Sequence, residues 1–303
     1  MTAVTPGVLA CSVRGCGETL ARTDRTYRCS NGHTFDVARS GYLNLLQPQD
    51  RRSTAAGDSA ATVSARARLL AQGVGASILA GIVSRAAGLA LPPDPVVADL
   101  GCGGGDALAA LAALRPIRGV GIDLSTPAIT RAVKQPVGRS WVRNEGAAGD
   151  PWNTEGVPAT TLTWVVANAD RRLPFRDGSV HLVLSLNARR NPTECARVLA
   201  PGGFLVVAVP ASDDLIELRE RVQGARVTRD RTSGVVNEHT PGFKVEAKDT
   251  LRERHTLEGA SLRDLLAGTY RGARTSAHDQ VSALDALDVT LSSDLIVFSR
   301  TSS

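Results

Sequence analysis

The sequence predicts an α/β fold with a doubly wound, mostly parallel sheet, preceded by a small N-terminal metal-binding module. Its 303 residues suffice for one full domain and a smaller one. Two observations predict the sheet: the apolar run Val96–Leu100 leads through a glycine-rich loop into a helix, and a second apolar run ends at Asp123. A third predicts the module, because three cysteines and a histidine cluster near the N-terminus.

Composition and charge narrow the setting. The apolar fraction of 43% is ordinary for a protein with a buried core, and neither a membrane-spanning run nor a signal-like start is evident, so we expect a cytoplasmic protein without a membrane partner. Residues 1–68 hold nine arginines against five acids, which accounts for +4 of the net charge of +5. This basic quarter suits a polyanionic partner, although a GC-rich genome would also enrich arginine.

The first module, residues 1–40, carries two pairs of soft metal ligands. They are spaced Cys11-x4-Cys16 and Cys29-x3-His33 on either side of a short basic connector. Clustered cysteines in a cytoplasmic protein indicate a metal before a disulfide. Four thiolate or imidazole ligands at this spacing predict a tetrahedral Zn²⁺ site whose metal supplies folding energy.

Residues 41–94 are predicted as a hinge and linker helices. The stretch 35–46 has no clear single period and is interpreted as an irregular hinge with a small hydrophobic cluster. Ser59 precedes an apolar-periodic stretch, which predicts a helix over 60–72.

The glycine loop indicates which cofactor the sheet binds. A dinucleotide needs G-x-G-x-x-G, whereas here the glycines fall at 101, 103 and 105 and Asp106 follows. An acid at this helix start would repel a pyrophosphate but suits S-adenosylmethionine, a cationic cofactor. Asp99 is predicted to hold its amino group, and Asp123 its ribose hydroxyls. The cofactor contacts predicted from this unit are Asp99, Gly101, Gly103, Gly105, Ala107, Leu108 and Asp123.

Later segments complete a class I pattern. The strand Val180–Leu186 follows an L-P-F segment, and R-V-L-x-P-G-G at 197–203 predicts a helix, a turn and a strand. This order is specific to class I (Rossmann-like) S-adenosylmethionine-dependent methyltransferase domains, which we assign to 95–303. In that class an acid four residues before the L-P-F leucine commonly contacts adenine. Ala169 occupies that position and Asp170 comes one residue late, so either the Asp170 side chain or the Ala169 backbone serves.

The remaining segments carry weaker patterns. Residues 219–239 are polar and arginine-rich, and we interpret them equally as a lid or as an RNA contact. The apolar runs at 288–291 and 294–298 predict antiparallel edge strands.

Taken together, the chain resembles the 23S ribosomal RNA guanine-N1 methyltransferases over nearly its whole length. The resemblance rests on the zinc ligands, on the phrases at 35–46 and 57–60, and on the methyltransferase motifs. It implies that the zinc module binds an rRNA hairpin, that the target is a guanine N1 in hairpin 35 of domain II, and that the protein forms a homodimer. The run at 188–192 resembles the A-P-R-N-P of a branch that methylates around nucleotide 748 and confers tylosin-type macrolide resistance, with Arg189 in place of its proline.

The resemblance also implies site residues. Gly75 falls where relatives place an aromatic near the cofactor, and Asp214 falls where some relatives have a histidine, so both are predicted to contact the cofactor. For catalysis we predict that Asn187 holds the Watson–Crick edge of the base, that Arg189 and Arg190 stabilise charge on O6, and that Asp213 or Asp214 accepts the N1 proton.

The sequence leaves two alternative functions open. One is a small-molecule methyltransferase whose zinc site is purely structural, and the basic N-terminal quarter disfavours it. The other is a non-catalytic zinc-containing RNA-binding protein, which the intact acids and glycines of the cofactor loop disfavour.

Overall fold

The computed structural model describes residues 7–48, 57–135, 160–224, 228–269 and 285–301. These residues form a three-stranded sheet near the N-terminus and a separate eight-stranded sheet flanked by helices. The predicted α/β fold is confirmed.

The small sheet is an antiparallel meander built around the metal ligands. Its strands are β1 Ala21–Thr23, β2 Thr26–Arg28 and β3 Thr34–Asp36. Tyr27 and Phe35 oppose each other across β2 and β3 and are buried. Both belong to a hydrophobic cluster that the module shares with the large domain.

The hinge differs from its prediction as irregular chain. Residues Leu43–Asn44 form strand β4, which pairs in parallel with β7 at the edge of the large sheet. Leu43 and Leu45 are almost fully buried. The hydrophobic cluster predicted there therefore belongs to the core of the large domain.

The eight strands of the large sheet run in the order β10-β11-β9-β8-β5-β6-β7-β4. Every strand is parallel except β11, which is antiparallel to both of its neighbours. The strands after β4 are β5 Val96–Leu100, β6 Arg118–Asp123, β7 Thr161–Val166, β8 Val180–Leu186, β9 Leu199–Pro210, β10 Phe243–Glu258 and β11 Ala286–Arg300. The helices are α1 Ala60–Ala71, α2 Ala76–Ala87, α3 Asp106–Leu114, α4 Thr126–Val133, α5 Pro192–Val198, α6 Ile216–Gln223, α7 Thr232–His239 and α8 Gly259–Gly268.

Several elements match the sequence closely. Strands β5 and β8 have the predicted bounds, and the side chain of Ser59 caps α1 by accepting a hydrogen bond from the Thr62 amide at 3.2 Å. The turn predicted after α5 lies inside β9, where Gly202 adopts a φ of +72°.

The C-terminal prediction needs a correction. The two runs predicted as separate edge strands form one continuous strand, β11, which lies second from the edge. At this end of the sheet the edge strand is β10. The sequence did not predict β10, because charged residues interrupt its apolar positions. The segment predicted as a lid or RNA contact contains most of α6 and all of α7.

Within the described ranges, no single helix is long and apolar enough to cross a membrane. Helices α1 and α2 pass such a test only as a pair, and they are bent by 87° at their junction.

The parallel strands direct the functional loops to one edge of the sheet. The carboxyl ends of β5 to β9 carry the loops at 101–105, 123–125, 167–171, 187–191 and 211–215. Ligands of open α/β sheets bind at this edge, so these loops define where the chemistry belongs.

Candidate zinc, cofactor and substrate sites

The four predicted metal ligands lie together in the small module. The Nδ1 atom of His33 is 3.5 Å from the Sγ of Cys11 and 3.4 Å from the Sγ of Cys29, and the thiols of Cys16 and Cys29 are 3.9 Å apart. All four ligand atoms lie within 4.8 Å of one another. A zinc tetrahedron with bonds of about 2.3 Å to sulfur and about 2.0 Å to nitrogen has ligand–ligand edges of about 3.5–3.8 Å. The spacing therefore fits Zn²⁺ held through Nδ1 of the histidine.

Two tight turns present these ligands. The Cys16 amide donates to the Val13 carbonyl and the Gly32 amide to the Cys29 carbonyl, each at 3.0 Å. A hydrogen bond from the Glu18 amide lowers the pKa of Cys16 to about 6, so this sulfur is a thiolate at neutral pH. The Asn31 side chain also donates to this sulfur, at 3.3 Å.

The metal module is joined to the large domain by backbone pairing. The Ala10 amide donates to the Pro174 carbonyl and the Arg176 amide to the Val8 carbonyl, each at 3.0 Å. Phe175 is fully buried in the same hydrophobic cluster as residues of the module. The L-P-F segment thus binds the module as well as preceding β8.

The glycine loop is shaped by close packing on two sides and by open space on the third. A Cβ on Gly101 would overlap the side chain of Ala188, and one on Gly105 would come within 2.5 Å of the Trp164 ring. A Cβ on Gly103 would meet no atom within 4 Å. All three glycines have positive φ, so the loop holds a conformation that side chains disfavour and leaves room at its centre.

Asp99 supplies the strongest sign that this loop binds a cation. The residue is 2% exposed, and its Oδ2 atom has no hydrogen-bond partner within the described chain. Burial, with the nearby charges of Asp123 and Asp106, raises the pKa of Asp99 to about 7. A buried, unpartnered carboxyl fits the ammonium of the methionine part of S-adenosylmethionine, which would restore its charge and its hydrogen bond.

Asp123 lies opposite, at the end of β6. Its Oδ2 accepts from the Gly103 amide at 2.9 Å and its Oδ1 from the Ser125 amide at 2.7 Å. Burial raises the pKa of Asp123, and these two hydrogen bonds oppose the rise. The oriented carboxylate fits the ribose hydroxyls of the cofactor.

Ser125, two residues after Asp123, was not predicted from the sequence to belong to the site. The hydroxyl of Ser125 donates to the carbonyl of Asp58 at 2.6 Å, and Gly57 packs directly on Ser125. The start of the linker helix α1 therefore lies on the ribose-binding turn. The phrase at 57–60 indicated this segment, but its contact with the turn depends on the tertiary fold.

The other residues predicted to contact the cofactor have different surroundings. Ala107 and Leu108 are buried in the first turn of α3, where Leu108 packs in the core. The amide of Gly75 at the start of α2 donates to Glu253 of the edge strand, while Asp170 lies in the loop after β7 with an oxygen 3.3 Å from Arg189. Contacts of these four with the cofactor stay predictions.

Asn187 and Arg189 follow β8 at the carboxyl edge. Asn187 is exposed, has a φ of +55°, and is tied to β9 by its amide, which donates to the Ala208 carbonyl at 2.9 Å. The side chain of Arg189 is 78% exposed. Both side chains are thus available to a substrate.

Arg190 faces the protein interior. Its side chain is only 8% exposed, and its Nε donates to Nε2 of His239 at 3.2 Å. Nδ1 of His239 in turn donates to the Val235 carbonyl at 2.7 Å, and its ring stacks on Phe298 with centroids 5.1 Å apart. Burial lowers the pKa of His239, which fixes it as the neutral acceptor for Arg190. No sequence signal links these two residues, which lie 49 positions apart.

The two acids after β9 differ in their surroundings. Burial alone would raise the pKa of Asp213, but hydrogen bonds from Ser292 and Arg252 lower it. Asp214 is more buried, and its Oδ1 accepts a hydrogen bond from the Ser292 amide at 3.0 Å. Burial raises the pKa of Asp214 to about 6, which suits a proton acceptor near neutral pH.

Known proteins resemble both parts of the chain. Residues 10–54 match the zinc-ribbon family described as RlmA, N-terminal, and residues 98–207 match the methyltransferase domain family. A 23S rRNA (guanine(748)-N(1))-methyltransferase of Streptomyces fradiae is 38% identical over 83% of this chain and 81% of its own length. A putative 23S rRNA (guanine-N(1)-)-methyltransferase of Micromonospora griseorubida is 34% identical over 82% of this chain and 81% of its own.

A solved structure supports the fold alone. The putative methyltransferase in complex with the Trm112 activator of Haloferax volcanii has a TM-score of 0.50 and 20% identity, and the match covers 81% of this chain and 99% of that one.

Proposed function

The chain belongs to the 23S ribosomal RNA guanine-N1 methyltransferase family, and from this premise we propose that it methylates N1 of guanine 748 in hairpin 35 of domain II. It is an S-adenosylmethionine-dependent methyltransferase with a zinc ribbon. The observation that carries the proposal is the docking of the ribbon beside the cofactor loops, since an RNA-binding module is useful to this enzyme only if it sits next to the reacting centre.

S-adenosylmethionine, when bound, supplies an electrophilic methyl group on its sulfonium. Asp99 would bind the ammonium of the cofactor and Asp123 its ribose, with the open side of Gly103 between them. Either the Asp170 side chain or the backbone of Ala169, which both follow β7, would contact the adenine.

Guanine N1 carries a proton and is a weak nucleophile until that proton leaves. Asp214 is the better acceptor of the two acids after β9, because it is mostly ionised at neutral pH, whereas the Asp213 carboxylate is already engaged by hydrogen bonds from Ser292 and Arg252. The Asp214 carboxyl would hold that proton while the N1 lone pair takes the methyl group, whose bond to the sulfonium would break with its electron pair left on sulfur. Deprotonation places negative charge on O6, which the exposed guanidinium of Arg189 would stabilise.

Arg190 takes a different part from the one the sequence suggests. Because its side chain is buried against His239, we assign it to positioning the loop at 187–191. Asn187, with its left-handed backbone, would hold the Watson–Crick edge of the base.

The biological setting completes the proposal. We place the enzyme in the cytoplasm with its ribosomal substrate, as a homodimer, and propose that its product weakens the binding of tylosin-type macrolides. A methyl group on N1 removes a hydrogen-bond donor, and one lost contact of about 1.4 kcal/mol changes affinity about tenfold. The resistance from this methylation alone is therefore modest.

Primer extension across domain II of 23S rRNA, after incubation with enzyme and cofactor, tests the proposal, since N1 methylation stops reverse transcription. We expect a stop at guanine 748 and a raised inhibitory concentration of tylosin in a host that expresses the protein. A methylated hairpin with unchanged tylosin sensitivity would remove the resistance role alone. Methyl transfer to a small molecule with no stop in the rRNA would refute the substrate.

A further inference from the structure

One exposed, strongly basic segment of the large domain has no role in the proposed methyl transfer. Three arginines, Arg171, Arg172 and Arg176, flank the buried residues Leu173 to Phe175, and all three side chains are exposed. We call these three residues the arginine strap. The strap begins directly after Asp170 of the predicted adenine loop and ends where the chain pairs with the zinc module.

The strap is held rigidly between the two sites. On one side the Arg176 amide donates to Val8 of the zinc module, and on the other the Leu173 amide donates to Glu194 of α5 at 2.8 Å. The guanidinium of Arg172 lies against the turn that follows Cys16, because a Cβ on Gly17 would be 2.7 Å from its Nη2 atom. Exposed arginines thus lie on the segment that runs from the cofactor edge to the zinc module, and one of them reaches a zinc ligand turn.

Acids among the described residues offset the charges of the strap only in part, through the attraction of Asp177 to Arg172 and Arg176. Across the described part of the chain, none of the three arginines forms an ion pair within 4 Å. The acids nearby are already engaged, since Asp177 and Glu194 both bind Arg197, at 2.7 Å and 2.5 Å. At the cofactor end of the strap lies a further exposed arginine, Arg189, which forms an ion pair with Asp170 at 3.3 Å.

Three exposed guanidinium groups on one short segment repel one another, and a bound polyanion would remove that repulsion. Guanidinium groups bind phosphate oxygens in a bidentate manner, and phosphate contacts fix the register of a nucleic acid without reading its sequence. The position of the strap matches that task, because the RNA must pass from the ribbon to the reacting base along this side of the protein.

We propose that Arg171, Arg172 and Arg176 bind consecutive phosphates of the RNA that joins the segment held by the zinc ribbon to the target guanine. This inference rests on the proposed function. The strap sets the distance between the gripped segment and the base that enters the active site.

The test measures RNA affinity against salt concentration for the full-length, zinc-loaded protein. The variant R171Q/R172Q/R176Q is compared with K134Q/K248Q/R263Q, which removes three exposed positive charges that form no ion pair within the described residues, at the end of α4, on β10 and on α8. The probe is a transcript of hairpin 35, titrated by fluorescence anisotropy between 50 and 300 mM salt.

Each lost phosphate contact lowers the slope of log affinity against log salt by about 0.7–0.9. The strap variant should therefore lose about two to three units of slope and bind about fiftyfold more weakly near 0.15 M salt, while the control variant keeps the parental slope. Zinc content and S-adenosylmethionine affinity should equal those of the parent. The methylation rate at saturating RNA should be retained and KM for RNA should rise, which a merely structural defect would not produce.

Other results would contradict the proposed phosphate contacts of the strap. A parental slope in the strap variant, or an equal loss in the control variant, overturns the inference. A defect seen with whole ribosomal subunits but absent with the transcript would assign the strap to a ribosomal protein and also overturns it. Should the triple variant fold poorly, R171Q alone must lower the slope by the amount of one contact. If the parent protein does not methylate the transcript at all, the proposed function fails first.

Discussion

The cofactor affinity of this enzyme should depend on pH through one buried carboxyl, Asp99. Its pKa of about 7 in the unliganded protein means that it is largely protonated at pH 6. The ammonium of S-adenosylmethionine favours the ionised form, so binding at low pH must first remove a proton from Asp99. Affinity should therefore weaken as the pH falls through 7.

The magnitude follows from the pKa. The apparent Kd scales as one plus the ratio of protonated to ionised Asp99, so between pH 7.5 and pH 6 it should rise about eightfold. The cofactor ammonium, with an ordinary pKa near 8, is about three-quarters charged at pH 7.5 and almost fully charged at pH 6, so its own titration reduces this rise to about sixfold. At pH 6, binding should release about 0.9 proton per cofactor molecule.

The linkage to stability has the opposite sign. Because the folded-state pKa of Asp99 lies above its ordinary value of 3.8, the unliganded fold binds the extra proton between that value and about pH 7. The free energy of unfolding of the unliganded protein should then decrease as the pH rises through this window. Asp99→Asn should abolish this part of the pH dependence.

Calorimetry in two buffers of different ionisation enthalpy measures both affinity and proton release. Asp99→Asn should bind more weakly at pH 7.5 and release no proton at pH 6. Asp106→Asn is the matched control, because it removes a nearby charge that raises the pKa of Asp99 and should shift the midpoint down without removing it. A parental Kd that is flat from pH 6 to 7.5 would refute the reasoning.

Three further perturbations test other parts of the structure. Cys29→Ser should reduce zinc from one ion per chain to none and unfold the small module, since structural zinc contributes about 10–16 kcal/mol; elemental analysis checks this, and Cys102→Ser should keep its zinc. Asp214→Asn should lower kcat about 10²–10⁴-fold at unchanged cofactor affinity, and the parental rate should rise with pH through about 6; a variant with the parental pH–rate profile would exclude Asp214 as the base. Gly105→Ala should lower the free energy of unfolding, measured by urea titration, by about 1–3 kcal/mol more than Gly178→Ala does. Both glycines have positive φ, but only Gly105 packs against an indole ring. Equal losses in the two variants would contradict this.

The parts that sequence reasoning predicted well are those with local causes. Strand β5 and its glycine loop follow from a continuous apolar run and a backbone that only glycine tolerates. The metal ligands follow from the chemistry of thiolates at knuckle spacing, and they come together as predicted.

The parts that were missed depend on distant partners. On the inner face of β10, Asp249 pairs with Arg85 and Glu253 receives hydrogen bonds from the start of α2. These charged side chains break the apolar alternation that would have predicted a strand. The orientation of Arg190 likewise depends on His239, which only the tertiary fold brings near. Local pattern cannot encode either contact.

The backbone pairing of residues 8–10 with 174–176, and of β4 with β7, limits how such proteins can be recombined. The ribbon cannot be exchanged by itself, because the segment that directly follows it supplies β4, the last strand of the catalytic sheet. A chimaera that takes residues 1–40 from one relative and the rest from another would have mismatched contacts where residues 8–10 pair with 174–176. Successful exchanges should transfer the ribbon, β4 and the L-P-F segment as one inherited unit, even though more than a hundred residues separate their ends in the sequence.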